Sequence, residues 1–187
     1  MLATQTSTST SSRAPLHSLD SLARRSFSEL DALYRAATVS SSMHAADGAL
    51  VGRMLAVRGV TGPLARTLRQ WAASRSFLWE GKTFEASSEA RGMGHNRVYV
   101  PNVLGRQNLF PFATSFGPSA IDDKPTLVLD YDLDANPGYI RHVHDEIREV
   151  SPALFLGPAM WERDAGDKVM ILWFALDAGT ARAARPS

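Results

Sequence analysis

Between Asn136 and Gly157 the chain reads NPGYIRHVHDEIREVSPALFLG, which sets two imidazoles, three carboxylates and two guanidinium groups among apolar positions. Histidine titrates near neutral pH, so His144 beside Asp145 or Glu146 has the makings of a general acid or base, with Arg148 completing a candidate catalytic group. The same spacing has a second reading. On a helical wheel Ile140, Val143, Ile147 and Val150 form one apolar stripe, His144 and Arg148 edge it, and His142, Glu146 and Glu149 lie opposite. Asp145 is then four residues from Arg141 and three from Arg148, a spacing for surface ion pairs worth about 0.2–0.5 kcal/mol each. Pro137 and Pro152 frame the element as they would a short helix near residues 137–150. Metal ligation by His142 and His144 is disfavoured, because a His-X-His pair shares a side only in a strand and no third ligand is evident. No metal site is expected.

Binding chemistry is expected elsewhere. In WEGKTF a strand would put Trp79, Gly81 and Thr83 on one side and Glu80, Lys82 and Phe84 on the other. Trp79 and Lys82 are candidate ligand-binding residues, with Gly81 giving room beside the indole. In SAIDDKPTLVLDYDL, Asp122, Asp123 and Lys124 suit a turn, while Leu127, Leu129 and Tyr131 share a face. Asp130 points the other way. If that face is the interior, Asp130 needs a partner such as Arg97 or Arg148, since an unpaired buried charge is strongly disfavoured, and such a pair either grips a polar ligand head or forms a structural bridge. Phe110, Phe112, Tyr131, Trp161 and Trp173 supply further candidate wall residues, alongside Phe116 and Phe174; packing in a core accounts for the same aromatics. Pro111 marks an edge or a bulge.

The elements that must position these groups are mostly short strands. After an expected helix in SFSELDALYRAATV and another in GPLARTLRQWAASRSF, the pattern changes to runs of strand length rich in aromatic and branched residues, separated by Gly, Pro, Asn or Asp. With residues 49 to 57 they make about seven strands. Closure into a barrel removes exposed edges, and about eight strands enclose a space that side chains fill or that holds one small ligand. The expectation is mainly β: a lipocalin-like antiparallel barrel with two N-terminal helices and the short helix near 137–150. Residues 26–178 form that single domain, 1–25 a disordered tail with a composition also seen in organelle transit peptides, and 179–187 a frayed end.

The bulk numbers exclude several classes. The 187 residues fit one domain, 44% are hydrophobic, and 20 Lys and Arg balance 19 Asp and Glu for a net charge of +1. That leaves no large basic field for phosphate backbones, so no nucleic-acid partner is expected. The absence of cysteine removes disulfides, thiolate catalysis and cysteine-ligated metals. No apolar run approaches the roughly 20 residues of a membrane-spanning helix. A cytoplasmic monomer or homodimer without cofactor, and without stable membrane insertion, is the expectation.

The segments LWEGKTF, Asn96-Arg97, SAIDDKPTLVLDY, DEIREVSPALFLG and WFALD together resemble a group of uncharacterised bacterial lipocalin-like proteins. More loosely, they are similar to the families named for a Gly-X-Trp-X-Gly motif and their partner domain of unknown function. The resemblance covers about residues 26 to 177, and the chain departs from the named motif ahead of Trp79, where Leu78 stands. It implies a small barrel with N-terminal helices and no settled reaction. The expected function is binding of a small, largely apolar molecule, lipid, isoprenoid or polyketide-like, inside the barrel. The alternative is a cofactor-free isomerase, cyclase or dehydratase using the same cavity, with His144 and Asp145 moving protons.

Overall fold

The computed structural model describes residues 17–72, 78–100, 105–163 and 166–179. Eight strands form a closed antiparallel barrel in simple sequence order: β1 Gly48–Val57, β2 Trp79–Ala86, β3 Arg91–Val100, β4 Gly105–Pro118, β5 Pro125–Asp130, β6 Val143–Ser151, β7 Leu154–Glu162 and β8 Lys168–Asp177. The last strand pairs with the first from Val51 opposite Asp177 to Val57 opposite Leu172, so no edge is left unpaired. The mainly β, barrel-forming reading of the sequence is what the chain adopts.

The main departure is at residues 137–150. The short helix expected there is a single turn, α4 (Gly138–Arg141), and the helical stripe read onward through Val150 is instead the strand β6. The reason is a shared periodicity: residues i and i+4 lie on one side of both a helix and a strand, so Val143 and Ile147 satisfy either pattern. Tertiary pairing decides. Leu127 lies opposite Ile147 across β5, and Arg148 opposite Leu156 across β7. This segment is the eighth strand that closes the barrel.

Three further helices lie outside the sheet: α1 (Leu19–Ala23), α2 (Phe27–Ala36) and α3 (Gly62–Ala72). Both α1 and α2 start in capping boxes, Ser18 with Ser21 and Ser26 with Glu29. Leu22, Leu30 and Tyr34 are fully buried against Leu55, Leu154, Leu156, Trp173 and Ala175, forming a core between helices and barrel. Leu22 places ordered structure inside the segment 1–25 that composition assigned to a tail. The first 16 residues, with any targeting signal, and residues 180–187 lie outside the described residues.

A second core fills one end of the barrel. Met43 and Ala46, on a 3₁₀ turn at Met43–Ala46, pack with Leu50, Phe84, Phe112, Leu127, Ile147 and Phe155. The turn is tied to the barrel by the Met43 amide, which donates to the Glu89 carbonyl at 3.0 Å, and by Asp47, whose carboxylate accepts from the Ala86 amide at 2.8 Å. Over Leu154–Pro158 of β7 and Trp173–Leu176 of β8 both faces are therefore buried, one against the helices and one inside. That is why Trp173–Leu176 is an unbroken apolar run rather than an alternating one. Among the described residues no helix is long and apolar enough to cross a membrane.

Candidate functional site

Two irregularities in the strands build the site. In β2 the pairing slips between Trp79 and Gly81, and Gly81 takes φ +135°. A Cβ there would stand 2.1 Å from the Leu50 carbonyl oxygen and 2.6 Å from the Gly52 nitrogen, so only glycine fits. The slip inserts one residue and resets the alternation. Trp79 and Lys82, which strict alternation assigns to opposite sides, thus both face the interior. In β4, Phe110 takes φ +54° where the register with β3 slips between His95 and Asn96. Pro111, beside it, opposes His95, in line with the bulge its position implied.

Beyond the packed end, the barrel holds a cavity of about 320 Å³. Its wall is largely apolar, with Trp79, Phe110, Val143, Leu172 and Phe174 around it and Ile140 of α4 beside them. One polar cluster interrupts that wall. The Lys82 ammonium, on a side chain only 3% exposed, lies 2.8 Å from Asp145 Oδ2. It also donates to Asn96 Oδ1 at 2.9 Å and to the Tyr131 hydroxyl. Asn96 Nδ2 donates to the same hydroxyl at 3.0 Å, Tyr131 in turn donates to Asp145 Oδ2 at 3.1 Å, and the Trp79 indole N–H donates to Asn96 Oδ1 at 2.9 Å. Rings of Trp79, Phe112, Tyr131 and Phe174 surround the ammonium with centroids 5.2–5.6 Å away.

Electrostatics follow from this burial. Desolvation pulls the Lys82 amine below the usual lysine range, while Asp145 acts in the opposite sense. Tyr131 is pushed well up, first by burial and then by the adjacent Asp145 charge, so it stays a protonated donor. Asp145 Oδ1, also buried, has no hydrogen-bond partner among the described residues.

Several expected residues are placed elsewhere. His144 and Arg148 alternate with Asp145 along β6 and lie on the outer side of the barrel. His144 Nε2 is 3.1 Å from Glu146 Oε1, and Glu146, fully buried, accepts from Tyr34 at 2.7 Å, from Ser119, and from the Ala120 amide at 2.7 Å. Burial alone would push Glu146 up, but the bonds from His144, Ser119, Tyr34 and Ala120 hold it below the usual glutamate value. Arg148 is a structural clamp under α2. It grips both Asp122 oxygens, at 3.0 and 2.6 Å, and stacks 4.4 Å from the Tyr34 ring centroid. The catalytic trio of His144, Asp145 and Arg148 is therefore split by the sheet, with Asp145 alone at the cavity.

The remaining corrections have the same cause, the side of a strand. Asp130 is exposed on the outside, next to His144 across β5 and β6, and has no need of a buried arginine partner. Arg97 braces the β2 bulge from outside, donating to the Leu50 carbonyl at 2.6 Å. Trp161 is 38% exposed and stacks on His142 with centroids 5.4 Å apart. Trp173 is fully buried in the core beneath α1 and α2, where it meets Phe27 and Tyr34 edge-on or tilted. Of the expected wall residues, Trp79, Lys82, Phe110, Tyr131 and Phe174 line the cavity, and Phe112 packs directly beneath the Lys82 ammonium. Sequence reasoning overlooked Asn96 as a site residue and paired the wrong member of Asn96-Arg97 with the interior. Among the described residues no group of three or more His, Asp or Glu side chains is placed to hold a metal ion.

Fold and site define an eight-stranded barrel, packed at one end and hollow at the other, with an ion pair in the wall of its hollow. No protein-family model and no curated protein matches the chain. Among solved structures, a protein from Thermomonospora curvata known from its crystal structure is similar, with a TM-score of 0.49 and 17% identity over 82% of this chain and 87% of that one.

Proposed function

We propose that the protein binds a small, largely apolar molecule inside its barrel. The observation that supports this reading is a cavity of about 320 Å³ whose wall is apolar except for the Lys82, Asn96, Tyr131 and Asp145 cluster. Concave, mainly apolar sites with a few convergent polar groups are the usual form of small-molecule sites. At about 30 Å³ for each water-sized group, the space suits a guest of about ten non-hydrogen atoms. That is the size of a short isoprenoid, an alkylated aromatic ring or a small polyketide fragment. The apolar body gains from leaving water, and the polar cluster fixes its orientation.

A cofactor-free isomerase, cyclase or dehydratase is the second reading. It is favoured by Asp145 at the cavity wall, a carboxylate held by the Tyr131 hydroxyl and placed to take a proton from a bound substrate. His144 has no part in it. Native mass spectrometry separates binding from its absence: freshly purified protein, with propylbenzene or a short terpene alcohol added, is expected to retain one guest per chain. Retention of no guest by folded protein at millimolar concentrations overturns the proposal.

A further inference from the structure

We infer that the cavity selects guests carrying an uncharged hydrogen-bond donor, an alcohol or phenol, which binds Asp145 through its free oxygen. The inference rests on the proposed binding function and adds the chemical class of the guest. It follows from a census of the cluster. Lys82 directs its three N–H groups at Asn96 Oδ1, the Tyr131 hydroxyl and Asp145 Oδ2. Asn96 spends its amide hydrogens on the Phe110 carbonyl and on Tyr131. The Trp79 N–H and the Tyr131 O–H are committed to Asn96 and Asp145. Every donor of the cluster is in use, and the unused capacity is an acceptor: Asp145 Oδ1, buried and without a partner among the described residues.

A buried carboxylate oxygen without a donor is costly, so a guest that supplies one recovers that cost on binding. Asp145 forms part of the cavity wall, so a head group bound in the hollow stands beside its carboxylate. The other head groups fare worse. A carboxylate finds no free donor and stands against the Asp145 charge. An ammonium finds the acceptor but stands beside the Lys82 cation. An ether or ketone has nothing to give Oδ1. The uncharged hydroxyl alone meets the free acceptor with no charge penalty.

Matched probes test this: para-propylphenol, para-propylanisole, propylbenzene, para-propylbenzoate and para-propylbenzylamine, titrated by calorimetry into the full chain. The phenol is expected to bind at least about tenfold tighter than the anisole, which differs only in a methyl on the oxygen, and tighter than both charged probes. Because Asp145→Asn alone leaves Lys82 without its counter-ion, the companion variant is Lys82→Met with Asp145→Leu. It removes both charges together, and circular dichroism checks its fold. In it the phenol should bind no more tightly than the anisole. Equal binding of all neutral probes to the native protein, or tightest binding of the benzoate or the amine, overturns the donor-selective site and leaves apolar binding standing. Failure of every probe to bind folded protein overturns the proposed binding function itself and the inference with it.

Discussion

Lys82 and Asp145 are each nearly unexposed, and their value to the protein depends on both being present. Removing one member of a buried pair typically costs about 3–5 kcal/mol, because the other is left charged and unpaired. Lys82→Ala should therefore fall in that range by chemical denaturation, while the Lys82→Met, Asp145→Leu double variant should lie much closer to the native protein. Glu146 makes a different prediction, in pH. Its folded value is depressed, so it adds stability that is present above the unfolded glutamate value of 4.5 and is lost as the pH falls through the folded value. Asp122, lowered by its bonds to Arg148, acts in the same direction. Thermal melts should show stability declining below about pH 4.5, and Glu146→Gln should flatten that decline. At this scale the sequence was partly legible. Leu127, Leu129 and Tyr131 share the interior face as alternation implies, but Trp173 and Phe174 sit in a strand buried on both sides, where hydrophobicity carries no sign of inside or outside.

The elements owe the site to two bulges, and bulges leave weak traces in sequence. Gly81 and Pro111 mark their places, yet neither says which way the flanking side chains turn. Strict alternation consequently separated Trp79 from Lys82, which the slip at Gly81 brings together. Gly81→Ala forces a Cβ to 2.1 Å from the Leu50 carbonyl at a φ that disfavours side chains, and should cost more than about 3 kcal/mol or prevent folding. Soluble yield and denaturant midpoints measure this. Strand β6 shows the opposite ambiguity: its apolar positions four apart suit a helix and a strand equally, and pairing with β5 and β7 makes the choice. His144 consequently faces away from the cavity. His144→Ala should leave guest affinity within about twofold of the native protein while costing about 1 kcal/mol of stability through the weakened Glu146 network.

Across the whole molecule, two cores divide the labour. The core under α1 and α2 and the plug at Met43–Ala46 fix the barrel's shape, which frees the other end from having to be filled by side chains. That general architecture was legible, since short aromatic strands between turn residues specify a barrel. The ordering of residues 17–25 was not, because a single buried side chain, Leu22, anchors a segment of otherwise polar composition. Ala159 lies on the cavity wall, so Ala159→Phe should fill the hollow with little disturbance of either core. Calorimetric titration of propylbenzene into the native protein and into Ala159→Phe is the most direct measurement. Saturable binding of one guest per native chain, abolished in a variant that melts as a folded protein, is the predicted result; no binding to the native barrel, or equal binding to both, contradicts it.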